Sequence, residues 1–466
     1  MELLLLFAAI AASVWALVLL PRWTPLSMAV TYLLVASAAG YEIYNFNVGI
    51  NMSFDRLMLL ILIGSFGWRW WRQKTAARDI PASELILFAF FGLLILNMFA
   101  HDWRRTGDGQ VPILQHMIEG YLIPFILYWI ARRSVITSKS LDKVYILLGC
   151  FGVYLSLTAL CEIAGVWSLV FPKQIADPEL GIHFGRARGP FLQSVRLGVY
   201  LLVCCFATWI PLVWRKRFGR EGQLVGFLLF GLSTAAIFAT YTRSIWLAFG
   251  LSGFLVAIMT FSVFMKRLTI VAAMAAGILV VASRGNLVSF QREYGVQETK
   301  QSTEMRAVFA YVSWLMFQDK PVIGHGFGHY PHKNRPYLND RATRMQLETI
   351  RGYIHHNTWL SLLVELGVIG FALYLALFLA WGRRAVQLFR DHAAPKWMRG
   401  QALLFILFLA SYTIQMIFHD VSYSPMENGM LFLMAGLTCG ICSMRTPTTS
   451  WQPSFRWRYG TAMSAN

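Results

Sequence analysis

Residues 351–370, RGYIHHNTWLSLLVELGVIG, decide how the chain is read. Two adjacent histidines, His355 and His356, stand where a polar segment gives way to an apolar one. Asn357 and Thr358 are favoured N-cap residues, and WLSLLVELGVIG begins a membrane span. A titratable pair at a water–lipid boundary, beside the positive end of a helix, suits chemistry on an anionic, lipid-attached substrate. The plainer alternative is a pair of interfacial loop residues. The rest of the chain decides between them.

Apolar runs of span length recur throughout. Of the 466 residues, 57% are hydrophobic and only 14% charged, with a mean hydropathy of +0.52. That composition excludes a soluble globular domain and defines an all-α polytopic membrane protein. The runs are continuous rather than alternating, which excludes a β-barrel. About thirteen spans are expected, twelve being possible: near 2–20, 26–45, 53–71, 82–100, 113–131, 143–165, 191–213, 223–241, 244–263, 268–283, 358–380, 400–418 and 426–443. The first run lacks a basic leader and an A-x-A site, so it reads as a span rather than a cleaved signal.

The six cysteines all fall within or at the ends of apolar runs and read as packing residues, Cys439 and Cys442 included despite their C-x-x-C spacing. The net charge of +18 would suggest nucleic acid in a soluble protein. Here it is divided by membrane side, and no nucleic-acid partner is expected. Short loops rich in Arg and Lys, such as those around Arg72, Arg132, Arg215, Lys266 and Arg383, alternate with loops that are not. By the positive-inside rule the basic set is cytoplasmic, the C-terminus with it, and the N-terminus lies outside.

This topology divides the chain into an N-terminal bundle (1–283) with an outer loop at 166–190, a large outer loop (284–357), C-terminal helices (358–445) and a polar cytoplasmic tail (446–466). Within the large loop, Met305, Val308, Phe309, Val312, Leu315 and Met316 recur at helical spacing. They predict an amphipathic helix over 302–318, resting on the membrane surface or on the bundle. PVIGHGFGHYPH follows, and its alternating Gly324, Gly326 and Gly328 let the backbone approach a ligand or another helix closely.

Three outer-face features could carry chemistry. In GRARGPFLQSVRLG (185–198), Arg186 and Arg188 precede a span; arginine binds phosphate bidentately and stays charged. Arg196 falls inside that span, where a cation marks a functional site unless it snorkels to the interface. In TYTRSIW (240–246), Arg243 occupies a tight outer turn and either caps a helix C-terminus or faces a substrate anion. The His355–His356 pair supplies a general base, kept neutral by nearby arginines. Glu365, nine residues after His356, lies on the opposite helix face and is expected to bond a polar group on a neighbouring helix. His325, His329 and His332 have ligand-like spacing, but the glycines between them oppose a helix and no carboxylate cluster lies alongside, so no metal is expected. Asp420 and Glu427, in another outer loop, either position a sugar or belong to an ordinary turn.

HHNTWLSLLVELGVIG resembles the H-N-[TS]-x-L-x-x-L-x-E-x-G-x-x-G signature of the O-antigen ligase and polymerase superfamily. The order of features is similar too: R-x-x-G-x-F at Arg186, Gly189 and Phe191; T-R-S at Thr242–Ser244; a loop segment with Arg306 and Trp314; then P-x-x-G-x-G at Pro321, Gly324 and Gly326. The resemblance covers most of the chain from about residue 140. It implies a GT-C-type membrane glycosyltransferase architecture in the bacterial inner membrane, with one large periplasmic loop containing short helices. It further implies an undecaprenyl-diphosphate-linked glycan donor, a lipid A–core or growing glycan acceptor, a periplasmic site among membrane lipid, and no cofactor or metal. Carried across, Arg186 and Arg243 would hold the diphosphate, with Arg188 beside them. His356, adjacent to Asn357, would be the base, and His355 the extra residue. Arg196, Arg306, Arg351 and Asn357 are candidate substrate-loop residues. Ligase and polymerase share this chemistry and stay open, as does the competing class of a lipid-linked glycan flippase or a non-enzymatic export subunit.

Overall fold

The computed structural model describes residues 23–39, 45–47, 51–72, 75–76, 80–104, 112–282 and 296–445. An uninterrupted apolar run in lipid can satisfy its amides only within itself, and the runs coil into helices accordingly. In chain order these are α1 (Pro25–Ala39), α2 (Phe54–Trp71), α3 (Ala82–Phe99), α4 (Ile113–Arg133), α5 (Ser138–Ile163), α6 (Ser194–Trp214) and α7 (Gly219–Ala239). They continue as α8 (Arg243–Thr260), α9 (Val263–Ala282), α10 (Val296–Asp319), α11 (Thr358–Arg390), α12 (Lys396–Phe418) and α13 (Pro425–Cys442). Among the described residues eight of them, α3 to α8 with α11 and α12, are long and apolar enough to cross a membrane. The chain is a multi-pass helical membrane protein.

The expected span at 2–20 and the tail from 446 lie outside the described residues. The helix expected at 26–45 is described over Pro25–Ala39, and Asn45–Asn47 pairs antiparallel with Asn51–Ser53. Arg132, read from the sequence as part of a basic loop, is wholly buried, and its guanidinium pairs with Glu84 on α3. All six cysteines are free thiols.

Two prolines show how the bundle repairs its own backbone. Pro124 has no N–H to offer the Gly120 carbonyl. There α4 loosens into a π-turn over Ile118–Leu122, and the buried Asn428 of α13 donates to Gly120 O at 2.9 Å. Pro211 sits in a second π-turn, Ile210–Trp214, at the end of α6.

The largest irregularity positions the site. α11 breaks at Gly367, whose φ of +65° is open to glycine at little cost. The segment 321–328 fills the break. Val368 N donates to Pro321 O at 2.8 Å, while His325 N and Gly326 N donate to Val364 O and Glu365 O at 2.9 and 3.0 Å. The Glu365 carboxylate accepts from Gly328 N (2.9 Å), Tyr330 N (3.2 Å) and the Tyr423 hydroxyl. The glycine-rich segment therefore makes its close approach to a helix. Glu365 bonds that segment and the α12–α13 loop rather than a neighbouring helix. The apolar face of α10 (Val308, Phe309, Val312 and Met316) is buried against Tyr330, Leu338, Leu347, Ile350 and Val364. Its support is a small core of the outer segment with α11.

Candidate functional site

Five segments converge on one cavity of about 620 Å3. Its wall is built from the 182–195 stretch, the start of α8, α10, the residues before α11, and the end of α12 with the loop after it. Helix termini cluster there because α6, α8 and α11 begin, and α12 ends, at the same end of the bundle. Arg186, Arg243 and Arg306 line the cavity together with His355 and His356. Residues as far apart in sequence as Arg186 and His356 thus share one wall.

Arg243 is exposed at the first position of α8, beside amides that already carry partial positive charge. A cation there is unfavourable for the helix and favourable for an anion that docks against the helix end. Arg306 projects from α10 with its guanidinium 5.8 Å from the Phe418 ring.

The other candidate residues are used elsewhere. Arg188 is completely buried. Its guanidinium donates to the carbonyls of Leu180 (2.6 Å), Ile175 (2.8 Å) and Asp177 (3.0 Å) and lies 3.5 Å from Glu162. Its bonds fasten the loop 166–190 to α5, and it does not line the cavity. Arg196, in the first turn of α6, pairs with Glu427 at 3.3 Å. Arg351 pairs with Glu348 on the surface, Nε to Oε2 2.6 Å. Asn357 is the N-cap of α11, accepting from Leu360 N at 3.0 Å and donating to Ile417 O at 2.9 Å. Of the three spaced histidines, His325 Nε2 bonds Met316 O and His329 Nδ1 bonds Phe327 O. Among the described residues no group of three or more His, Cys, Asp or Glu side chains could hold a metal ion.

The two adjacent histidines differ in surroundings and in tautomer. His355 is 1% exposed, between the rings of Phe309 and Tyr330. Ser313 spends its one hydroxyl proton on Phe309 O (2.6 Å), so its oxygen accepts from His355 Nε2–H. Burial, then the charge of His356, pushes the His355 pKa down to about 3. His356 is half-buried at the cavity wall, and its Nδ1 lies 3.2 Å from the His355 carbonyl. A carbonyl can only accept, so Nδ1 carries a proton, and in the neutral ring the lone pair is then on Nε2.

Sequence reasoning missed or only weighed three further cavity residues: His183, His419 and Asp420. His183 stands three residues before Arg186, held by Ser194 at 3.0 Å. Burial pushes the Asp420 carboxyl up from the usual carboxylate range. The HDVSYSPMEN loop carried the only sequence signal for the latter two, as polar residues at the outer end of a span.

A multi-pass helical bundle thus carries a cavity lined by arginines and histidines where several of its helices begin or end. Residues 227–375 match the family described as O-antigen ligase. The matched stretch contains Arg243, Arg306, His355 and His356; Arg186 precedes it and His419 follows it. No curated protein matches the chain.

Proposed function

We propose that the protein transfers a glycan from an undecaprenyl-diphosphate-linked donor to an acceptor hydroxyl on the periplasmic face of the bacterial inner membrane. The observation that carries this is the convergence of Arg186, Arg243, Arg306 and His356 on one cavity at the helix ends. In this reading Arg186 and Arg243 hold the diphosphate and Arg306 adds charge from α10. His356 Nε2 takes the proton of the acceptor hydroxyl, and the oxygen attacks the anomeric carbon. The carbon–oxygen bond to the diphosphate breaks, and its electron pair stays on the departing phosphate oxygen, where guanidinium groups stabilise it.

The acceptor is lipid A–core for a ligase, or a growing glycan for a polymerase of lipopolysaccharide or exopolysaccharide. The arrangement supplies base and anion stabilisation from side chains, so the reaction runs without a metal. The N-terminus lies outside and the C-terminus in the cytoplasm, with 284–357 as the periplasmic loop between the N-terminal bundle and the helices of 358–445.

The test is purified protein in proteoliposomes with a polyprenyl-diphosphate glycan and candidate acceptors. Glycosylated acceptor and released undecaprenyl diphosphate, unaffected by a chelator, are expected. Movement of the donor across the bilayer without transfer would contradict the reading and favour a flippase.

A further inference from the structure

His419 lies directly after α12 and lines the same cavity as the adjacent histidine pair. Its surroundings fix the ring. Ser244, the second residue of α8, donates its only hydroxyl proton to Gln415 Oε1 at 2.9 Å. The amide of Gln415 is oriented for this, because its Nε2 donates to the Ser244 carbonyl at 3.1 Å. The Ser244 oxygen, 3.1 Å from His419 Nε2, can therefore only accept. His419 carries its proton on Nε2 and presents a bare lone pair at Nδ1. No described residue bonds that Nδ1, and, unlike Nδ1 of His355, it is not sealed from solvent.

A bare imidazole nitrogen is a hydrogen-bond acceptor. Phosphate oxygens are acceptors too, so they are repelled by it and left to the arginines. What it can hold is an O–H. We propose that His419 Nδ1 accepts a hydrogen bond from a sugar hydroxyl of a glycan bound in the cavity, making His419 a substrate-binding residue that orients the sugar while the arginines hold the diphosphate. This rests on the transferase reading above.

The ring suits binding and not proton removal. Burial and the charges of Arg306, His356 and His183 push the His419 pKa down to about 3. It therefore stays neutral through the physiological range and cannot retain a proton taken from a hydroxyl. The groups facing it are Arg306 from α10, His356 before α11, His183 from the outer loop, and Ser244 and Gln415 from α8 and α12. His356 keeps the role of base.

The hydroxyl belongs to the donor sugar or to the acceptor sugar, and kinetics on the full-length protein separate these. His419→Phe removes both nitrogens and keeps the ring. It is expected to raise KM for one substrate about tenfold, equivalent to about 1.4 kcal/mol, with a smaller effect on kcat. A rise for the donor places the hydroxyl on the donor sugar, and a rise for the acceptor places it there. His419→Asn sets an amide oxygen near the Nδ1 position and is expected to restore KM in part. His419→Gln sets its amide near Nε2, keeps the Ser244 bond, and is expected not to. Rescue by Gln and not by Asn, or unchanged KM values in His419→Phe, would overturn the proposal. If the Phe variant fails to fold, imidazole 15N spectra of the wild type still decide: the Nε2–H tautomer at neutral pH is expected, and a charged or Nδ1–H ring would contradict it. A wild-type protein with no transfer activity would instead contradict the function proposed above.

Discussion

Arg188 and Glu162 meet in the buried base of the loop 166–190. The guanidinium stands 3.5 Å from one carboxylate oxygen, while the amides of Arg188 and Gly189 donate to the other at 2.8 and 2.9 Å. Arg186, two residues earlier, turns to the cavity instead. Two arginines of one short stretch thus serve different ends, one holding the loop and one lining the cavity.

Arg188→Ala leaves Glu162 buried without its cation and three carbonyls without their donor. The expected loss is about 3–5 kcal/mol, read as a lower Tm of the detergent-solubilised protein. Arg186→Ala is expected to keep Tm close to wild type and to lose transfer activity.

Arg243→Lys tests whether geometry or charge matters at the start of α8. A lysine keeps the charge but not the planar fork that pairs two phosphate oxygens. The expected result is a kcat lowered by about tenfold to a hundredfold at unchanged Tm, with Arg243→Ala lower still. Equal activity in Arg243→Lys would show that the side chain supplies only field.

Gly367→Ala places a Cβ hard against the Val322 carbonyl at a φ of +65°. Strain of about 1–3 kcal/mol is expected from the backbone alone, with the clash added. The segment 321–328 should be displaced, and limited proteolysis should cut the outer segment faster than in the wild type.

His355 gives stability a pH dependence of known sign. Its pKa is held near 3 in the folded protein, against about 6.5 in the unfolded chain. The unfolded state therefore binds more protons between these values. The contribution is complete above about pH 6.5 and falls by about 1.4 kcal/mol per unit as pH drops towards 3. Acid titration of Tm should show a shallower slope in His355→Phe than in the wild type; an identical slope would contradict the buried neutral ring.

What is legible in the sequence follows the range of the forces involved. Spans, the N-cap at Asn357 and the amphipathic face of α10 depend on neighbours within a few residues, and pattern reveals them. Arg186, Arg243, Arg306 and the adjacent histidines share a position at one set of span ends, which pattern also reveals; that they line one cavity takes the packed bundle to show. Arg188 is not separable from Arg186 by sequence, because nothing local says that Glu162, twenty-six residues away, waits for it. Helical phase keeps Glu365 apart from His356, but its partners, the amides of Gly328 and Tyr330, belong to a segment whose docking depends on the Gly367 break. A histidine at a span end, such as His419, is uninformative until Ser244 and Gln415 are seen to set its tautomer.

The most direct test of the central claim is the single-turnover transfer rate of purified His356→Ala with a lipid-diphosphate-linked glycan and its acceptor. The account expects transfer to fall by at least about a hundredfold while the variant remains folded and still binds donor through its arginines. Transfer at the wild-type rate would contradict the assignment of His356 as the base.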